Sequence, residues 1–268
     1  MHIISEISQI SQINYNDYDC IYSPAILLDA RRYPQTRFVF GPHVSVFPDH
    51  RISTIRGLRN VVYIQPSEWA RSAWKISPLC SGLNIKAVPF AIDTEKFAPI
   101  DNGASKTREE VFVYFKRRHP AELDALCQFL THRGVKFRVF DYVRKYDEAD
   151  YLDFLQTRAK CGIWLGSHES QGFALQEALS CNIPLLVWNA TYMSQEHGGN
   201  LPDIPASTIP YWDERCGEYF TMFYQLEDIF WKFISKIEDG KKYKPREFIM
   251  ENLTTEICET RFLMAAST

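Results

Sequence analysis

The chain has 268 residues, and its 46% hydrophobic and 14% aromatic content can build the cores of two compact domains, which excludes a disordered chain. The formal net charge of −3 shows no basic bias, so we expect no nucleic-acid partner. No apolar run approaches the roughly 20 residues that cross a membrane, so no membrane span is predicted.

The seven cysteines are scattered along the chain, and none forms the C-x-x-C pair of a redox or metal motif. Several lie inside apolar runs, so we expect reduced core thiols in a cytoplasmic protein. We expect no metal ion, because no metal-ligand spacing occurs. We expect no signal peptide, because residues 1–10 are polar and interrupted.

Residues 1–100 alternate short apolar runs with helical patterns, and we expect them to form a first domain. Helices are predicted at 3–13, 25–32 and 68–74, and strands at 19–22, 37–40, 61–64 and 85–89. Ser67 suits the N-cap of the helix at 68–74. Strands that alternate with helices predict a parallel sheet. Residues 101–110, DNGASKTREE, are polar and indicate an interdomain linker.

A second domain is predicted at 101–245, again with alternating elements. Its strands are expected at 111–115, 135–142, 161–165 and 183–188, and its helices at 121–133, 146–160, 173–181 and 226–237. Residues 189–210 are rich in glycine, proline and polar residues, which predicts a long loop of the kind that is often functional. A last helix is predicted at 248–264.

The most informative stretch runs from residue 161 to 188 and reads CGIWLGSHESQGFALQEALSCNIPLLVW. An apolar run is followed by a glycine-bracketed loop at 166–172, an amphipathic helix at 173–181 and a second apolar run, which is the order of a βαβ unit. Asn182 suits the left-handed position that closes a helix. Ligands of open parallel sheets bind beyond the carboxyl ends of the strands, where this loop lies.

This loop combines an anion site with two carboxylates. The free N–H groups and the positive dipole end of the helix favour a phosphate, and Gly172 lets a ligand approach the backbone closely. Glu169 and Glu177 bracket this position and would repel a phosphate, so we expect them to accept hydrogen bonds from hydroxyl groups on either side of it. The alternative is that Glu169 is an ordinary loop acid and Glu177 a solvated helix residue.

The spacing of these residues resembles the signature of retaining glycosyltransferases of the GT-B fold, family 4. The matching positions are Glu169, Gly172, Glu177, Ala178, Ser180, Cys181 and Pro184. Residues 61–74 and 86–99 are similar to two further segments of that family; in the second, Asp93 and Phe97 match, and Ala91 stands where the family usually has glycine. The matches extend from about residue 19 to 184, although only the phrase at 169–184 is specific.

The resemblance implies an α/β, GT-B-like fold of two Rossmann-like parallel-sheet domains that face a cleft. The first domain would be reduced, because the family's usual opening strand and its glycine-rich loop are missing. Residues 246–268 would form a C-terminal helix that crosses back to the first domain.

The resemblance also implies roles for the loop residues. In that family the first glutamate contacts the transferred sugar, which gives Glu169 a catalytic role. The second glutamate binds the ribose hydroxyls of the nucleotide, which is the role of Glu177. The intervening backbone contacts sugar and diphosphate, which makes donor-binding residues of Ser170, Gln171, Gly172 and Phe173.

Three cations follow the strand predicted at 111–115 and offer a second place to hold phosphate. They are Lys116, Arg117 and Arg118. The family has basic residues here that neutralise the donor diphosphate, usually a Gly-Arg pair with a lysine about five residues later. This chain lacks that glycine and that lysine, so the resemblance leaves the assignment among the three cations open. The alternative is a solvated basic turn.

Three further residues complete the expected site. The resemblance places the nucleotide base near the end of the strand at 135–142, which makes Tyr142 and Val143 donor-binding candidates, with simple packing as the alternative. The family often places a histidine near the reacting sugar carbon after an early strand. Tyr22 stands at that place, and His43 after the next strand is the remaining catalytic candidate, unless it is a loop residue with local hydrogen bonds.

The predicted function is therefore a metal-independent, retaining glycosyltransferase of glycan biosynthesis that needs no cofactor. It would use a UDP- or GDP-sugar type donor and a glycan, lipid or protein acceptor. A catalytically inactive or regulatory sugar-nucleotide-binding subunit is the alternative, and a sugar-nucleotide epimerase is a weaker one. The sequence leaves the sugar, the base, peripheral membrane association and the oligomeric state open.

Overall fold

The structure is a computed structural model that describes residues 3, 7–10, 12–42, 47–100, 108–239 and 243–267. The chain divides into two units, Met1–Val88 with Phe262–Thr268, and Pro89–Arg261. Segment 89–100, which the sequence analysis assigns to the first domain, groups with the second unit. None of the described helices combines the length and the apolar run needed to cross a bilayer.

The first unit is built on a four-stranded parallel sheet, as predicted. Its strands are β1 (Cys20–Ser23), β2 (Arg37–Phe40), β3 (Val61–Gln65) and β4 (Ile85–Ala87), in the spatial order β1-β2-β3-β4. Two helices are described before residue 88, α1 (Ile7–Ile10) and α2 (Glu68–Lys75). Trp74 of α2 stacks on Tyr63 of β3 with 4.4 Å between ring centroids, so α2 covers one face of the sheet.

Two local predictions in this unit need correction. The helix predicted at 25–32 is wrong, since only a 3₁₀ turn at Ala30–Arg32 forms. The hydroxyl of Ser23 donates to the carbonyl of Ile26 (2.7 Å), a local bond that competes with helical pairing of the same backbone. Ser67 holds the predicted N-cap position of α2, but its side chain makes no capping hydrogen bond.

The second unit contains a five-stranded parallel sheet. Its strands are β5 (Glu110–Lys116), β6 (Phe137–Asp141), β7 (Ala159–Gly166), β8 (Leu185–Trp188) and β9 (Gly217–Phe220), in the spatial order β6-β5-β7-β8-β9. The helices of this unit are α3 (Pro120–His132), α4 (Glu148–Thr157), α5 (Phe173–Ser180), α6 (Leu226–Glu238) and α7 (Pro245–Asn252). A last helix, α8 (Thr255–Ser267), begins in this unit, and its residues from Phe262 onward group with the first unit. The βαβ unit at β7, α5 and β8 is present as predicted, and Asn182 adopts the predicted left-handed conformation with φ 61°.

Alternation along β5 puts apolar side chains on both faces of this sheet. Phe112 packs in one core layer with residues of α4, α5 and α7, and Val113 packs in the other with residues of α3 and α6. The result is a sheet buried on both faces, which is the arrangement expected of parallel strands. Polar residues can therefore gather at the carboxyl ends of the strands, away from the two core layers.

Strand β9 was not predicted from the sequence. It begins at Gly217, which looks like a turn signal, but this glycine has φ 142° and lies against β8. A Cβ added there would be 1.9 Å from the carbonyl oxygen of Leu185, so only glycine allows the two backbones to approach.

The single helix predicted at 248–264 is instead two helices, α7 and α8. The break falls at Leu253, whose carbonyl accepts the N–H of Ile92 (2.9 Å) rather than continuing the helix. The hydroxyl of Thr254 then accepts a hydrogen bond from the N–H of Ile257 (3.4 Å) at the start of α8.

The cysteines are all free. Five of them are buried, in agreement with the core role expected of them, whereas Cys20 is exposed and Cys127 is half-buried.

Candidate functional site

The order of the second sheet defines a place where a ligand can enter. β5 lies between β6 and β7, so the chain leaves β5 toward one side and returns on the other. In open α/β sheets, ligands bind beyond the carboxyl ends of the strands at such a reversal. A cavity of about 390 Å³ lies at this edge, and its lining includes the last residue of β5, Lys116, and residues that follow β6 and β7.

An ion pair joins the two strand ends at the reversal. Lys116 is the last residue of β5, and its Nζ donates to both carboxylate oxygens of Glu169, at 2.9 and 2.8 Å. Both side chains are largely buried, with 20% and 9% of their surfaces exposed. Burial raises the pKa of Glu169, and the neighbouring ammonium of Lys116 opposes that shift. The ammonium of Lys116 therefore offsets part of the burial penalty on the charge of Glu169.

The N-terminus of helix α5 lies at the same cavity. Its N-cap is Gly172, in the left-handed conformation with φ 82° and ψ 47°. Because glycine has no side chain, no side-chain cap covers the first N–H groups of the helix. These groups and the helix dipole offer an anion site beside Lys116. Phe173 and Ser170 are exposed at the rim of the cavity.

Gln171 holds the loop in place. Its side chain accepts the N–H of Phe90 (3.0 Å) and donates both to the carbonyl of Phe90 (3.1 Å) and to Gln176 (2.8 Å). Gln176 donates back to the carbonyl of Gln171 (2.6 Å). Both side chains are buried, so the amide of Gln171 fixes the backbone before Gly172.

Glu177 lies at the cavity one helical turn after Phe173. Burial raises its pKa to about 7, with the negative charge of Glu148 adding to the shift and the positive charge of Lys96 opposing it. In the described part of the chain its carboxylate has no hydrogen-bond partner. A half-buried acid with a pKa near neutrality in a cavity is a candidate functional group.

Aromatic rings form the wall opposite the loop. Tyr142 follows β6, and its ring lies 4.7 Å from the ammonium of Lys116. Tyr114 stacks on Trp164 of β7 (3.9 Å between centroids), and its hydroxyl lies 3.2 Å from that of Tyr146. The wall is therefore partly fixed by stacking, while Tyr142 is 44% exposed and available to a ligand.

The structure does not bring all the proposed residues together. Arg117 points to Glu196 (3.0 Å), and Arg118 is buried in a bidentate pair with Glu122 (2.8 Å each), so Lys116 alone of the three cations lines the cavity. Val143 is 65% exposed and is not part of the lining. His43 lies outside the described residues.

Some of the residues that line the cavity were not predicted from the sequence. Lys96, Glu148 and Tyr146 reach the cavity from segments distant in sequence, and only their position next to predicted elements could have suggested them. In the described ranges, no three His, Cys, Asp or Glu side chains gather in a way that could hold a metal ion.

No protein-family model and no curated protein matches the chain. Solved structures do match it. The apo form of the lipopolysaccharide outer core galactosyltransferase WaaB aligns with a TM-score of 0.52 and 14% identity, over 86% of this chain and 68% of that one. TarM aligns with a TM-score of 0.57 and 13% identity, over 87% of this chain.

Both matches are GT-B glycosyltransferases, so the GT-B-like fold predicted from the sequence is confirmed. The chain spans 51% of the length of TarM, about half. At these identities the likeness establishes the fold, and the chemistry has to be argued from the side chains of the cavity.

Proposed function

We propose that the protein transfers a sugar from a nucleoside-diphosphate sugar to a hydroxyl group of a glycan, lipid or protein, with retention of the anomeric configuration. One observation carries the proposal. One cavity at the strand reversal is lined by Lys116, by the N-terminus of α5, which has no side-chain cap, and by carboxylates that include Glu169 and Glu177. Cationic and N–H donors suit a diphosphate, and carboxylates suit sugar hydroxyls, so the lining matches both parts of a sugar nucleotide.

The leaving group is the diphosphate, whose negative charge increases as its bond to the sugar breaks. Lys116 and the N–H groups at the start of α5 are positioned to stabilise that charge. In this proposal no metal ion is needed for the step, because these groups already supply positive potential at the phosphate.

The two glutamates have different tasks. Glu177, half-buried beside Tyr146 and Lys96, accepts hydrogen bonds from the ribose hydroxyls. Glu169, buried beside Lys116, accepts from a hydroxyl of the transferred sugar and stabilises positive charge that develops on the ring. Tyr142 offers its exposed ring to the base.

The proposed transfer requires no enzyme nucleophile. The bond between the anomeric carbon and the diphosphate oxygen breaks, and the acceptor oxygen forms its bond on the same face of the sugar. The proton of the acceptor hydroxyl passes to the leaving phosphate. The protein's part is to hold both groups in place and to stabilise charge.

A test needs no knowledge of the acceptor. Nucleosides, nucleoside diphosphates and their sugars are screened by melting temperature, because a ligand at a hundredfold excess over its Kd stabilises the native state by about 2.7 kcal/mol. We expect diphosphates to bind and nucleosides to bind weakly. Slow hydrolysis of the preferred sugar nucleotide, followed by NMR of the anomeric proton, then gives the stereochemistry. The same hydrolysis in the presence of EDTA checks that no metal is needed.

Three results would change the conclusion. Absence of binding for every diphosphate overturns the donor site. Binding without hydrolysis, and without transfer to any glycan, lipid or protein acceptor, identifies a regulatory sugar-nucleotide-binding subunit instead. An inverted product contradicts retention while leaving the donor site intact.

A further inference from the structure

The segment between β8 and β9 is attached to both strand ends that flank the cavity. The N–H of His197 donates to the carbonyl of Arg117 (2.8 Å), the residue directly after Lys116. The N–H of Glu169 donates to the carbonyl of Ser207 (2.9 Å). The backbone at Arg117, directly after Lys116, and at Glu169 is therefore attached to segment 189–210.

Glu196, in the same segment, connects these strand ends through its side chain. Its Oε1 lies 3.0 Å from Nη1 of Arg117, after β5. Its Oε2 accepts the hydroxyl of Ser167 (3.2 Å) and lies 3.4 Å from Nε2 of His168, both after β7. The Glu196 side chain is only 11% exposed, whereas its partner Arg117 is 52% exposed.

The backbone at Arg117 needs such support. Arg117 has φ 52°, a left-handed conformation that residues other than glycine rarely adopt. Strained residues of this kind persist where the surroundings over-determine them. Here Glu196 holds the guanidinium of Arg117 and His197 holds its carbonyl. Ser167 adds a bond from its own N–H to the carbonyl of Lys116 (2.9 Å).

We propose that Glu196 is a positioning residue of this site, which ties Arg117 to Ser167 and thereby fixes Lys116 and Glu169 relative to each other. The inference rests on the proposed function for its effect on the rate of transfer. Glu196 does not line the cavity, so it acts through these neighbours and not on the substrate.

Charge supports the same role. The charged and titratable groups that act on Glu169 include Lys116, Glu196, Arg117 and Tyr114. Burial raises the pKa of Glu169, Lys116 lowers it, and the negative charge of Glu196 raises it further. Burial also lowers the pKa of His168, so its imidazole is neutral near pH 7 and Arg117 is the charged partner of Glu196.

The test compares Glu196→Gln with Glu251→Gln. Glutamine keeps the size of Glu196 and one oxygen acceptor but removes the charge. Glu251 also pairs its carboxylate with an arginine, Arg215 (2.7 Å), in the same unit and does not line the cavity, so it is the matched control. Melting temperatures establish that each variant is folded.

The first readout needs no substrate. The carboxyl carbon of Glu169 is titrated by NMR in labelled protein, with Glu169→Gln identifying its signal. Removing the negative charge of Glu196 lowers the pKa of Glu169, so its titration moves to lower pH in Glu196→Gln and stays in place in Glu251→Gln. An unmoved titration in Glu196→Gln overturns the inference, whatever the protein's activity.

The second readout is transfer or donor hydrolysis. We expect kcat of Glu196→Gln to fall about tenfold to hundredfold, because a small displacement of reacting groups has an effect of this size, while KM for the donor stays within about threefold. The acid limb of the pH–rate profile should move to lower pH with Glu169. A lower rate with an unmoved acid limb would show that Glu196 only stabilises the fold. Absence of diphosphate binding in the unchanged protein would instead overturn the proposed function, and the NMR titration distinguishes the two failures.

Discussion

The two parallel sheets differ in strand order, and this difference decides where a ligand can bind. The first runs β1-β2-β3-β4, so successive strands are always added on the same side. The second runs β6-β5-β7-β8-β9, so the chain reverses direction at β5. A crevice beyond the carboxyl ends forms where the connections diverge, and of these two sheets only the second has such a point.

The two sheets also differ in the residues at the carboxyl ends of their strands. The strands of the first sheet end in uncharged residues, namely Ser23, Phe40, Gln65 and Ala87. In the second sheet, β5 ends in Lys116 and β6 in Asp141, and Glu169 follows β7. The two units thus differ in chemistry, because Lys116 and Glu169 of the second unit line a cavity at the strand reversal.

The largest expected effect is that of Glu169→Gln. This variant loses the charge that we propose stabilises the sugar in the transition state, so kcat should fall roughly tenfold to thousandfold, equivalent to about 1.4–4 kcal/mol of barrier. Nucleoside diphosphate should bind at least as tightly as before, because Lys116 is released from its ion pair with Glu169. Initial rates at saturating donor and calorimetry measure the two effects.

The control for this variant comes from the first sheet. Glu68 lies three residues after the end of β3, as Glu169 lies three residues after the end of β7. Glu68→Gln should leave kcat unchanged, since Glu68 does not line the cavity. Like Glu169, it pairs with a cation, here Arg71 on α2 (2.7 Å). If both variants lose the same activity, the contrast between the sheets is wrong.

Lys116→Gln should have the next largest effect. Loss of a charge-assisted hydrogen bond of about 1.5–3 kcal/mol lowers the affinity for nucleoside diphosphate about tenfold to hundredfold. Affinity for the bare nucleoside should not change. Calorimetry with both ligands measures the difference. Lys86→Gln, in β4 of the first sheet, removes the same charge and should affect neither ligand; equal losses for diphosphate and nucleoside in Lys116→Gln would reject the phosphate role.

How far the sequence predicts this structure depends on the range of the interactions. The unit from β7 to β8 was predicted correctly, because strand, glycine-closed loop, helix and the left-handed Asn182 are all specified by neighbouring residues. The helix predicted at 25–32 does not form. The hydroxyl of Ser23 donates to the carbonyl of Ile26, which the sequence pattern alone would assign to a helical hydrogen bond. The break between α7 and α8 depends on Ile92, which is far away in sequence.

The site shows the same limit. Glu169, Gly172 and Glu177 lie in one short phrase and were identified together. The partner of Glu169 is Lys116, 53 residues earlier, and nothing in the run Lys116, Arg117 and Arg118 distinguishes the first cation from the other two. Only the register of β5 against β7, which pairs Lys116 with Gly166, brings that lysine to the loop.

Glu177→Gln should give a smaller effect that depends on pH. The pKa of Glu177 is raised from its ordinary 4.5 to about 7, so its carboxylate is fully ionised only above neutrality. If the ionised form accepts the ribose hydroxyls, affinity for the nucleotide rises with pH through about 7 in the unchanged protein. The variant should lose this dependence and bind about tenfold more weakly at high pH. Calorimetry at pH values on both sides of 7 measures this.

Stability gives an independent check on the same residue. A carboxyl whose pKa is raised in the folded state contributes stability below its unfolded pKa and loses it as pH rises through the folded value. The unchanged protein should therefore lose stability between pH 4.5 and about 7 from this group. Glu177→Gln should melt higher than the unchanged protein at about pH 8, with the difference disappearing near pH 4. A difference that is the same at both pH values would show that Glu177 is not the perturbed group.

The smallest expected effect is that of Arg118→Met, and it tests how sharply the site is confined to the strand reversal. Arg118 is only two residues after Lys116, but it is 3% exposed and donates to both oxygens of Glu122 (2.8 Å each) at the start of α3. Its guanidinium lies 4.7 Å from the ring of Trp188, and its Nη1 has no hydrogen-bond partner in the described part of the chain. Arg118 therefore pairs with a residue of α3 and does not line the cavity.

Methionine retains much of the apolar volume of Arg118 beside Trp188. Glu122 also keeps a partner, because it accepts the N–H of His119 (3.2 Å). Stability should nevertheless fall by about 1–3 kcal/mol, because the carboxylate of Glu122, which is 28% exposed, loses its cationic partner. Affinity for nucleoside diphosphate should change less than about twofold in calorimetry, in contrast to Lys116→Gln. A folded Arg118→Met variant with an affinity loss as large as that of Lys116→Gln would extend the phosphate site beyond the reversal and show that position along the sheet edge does not select the cation.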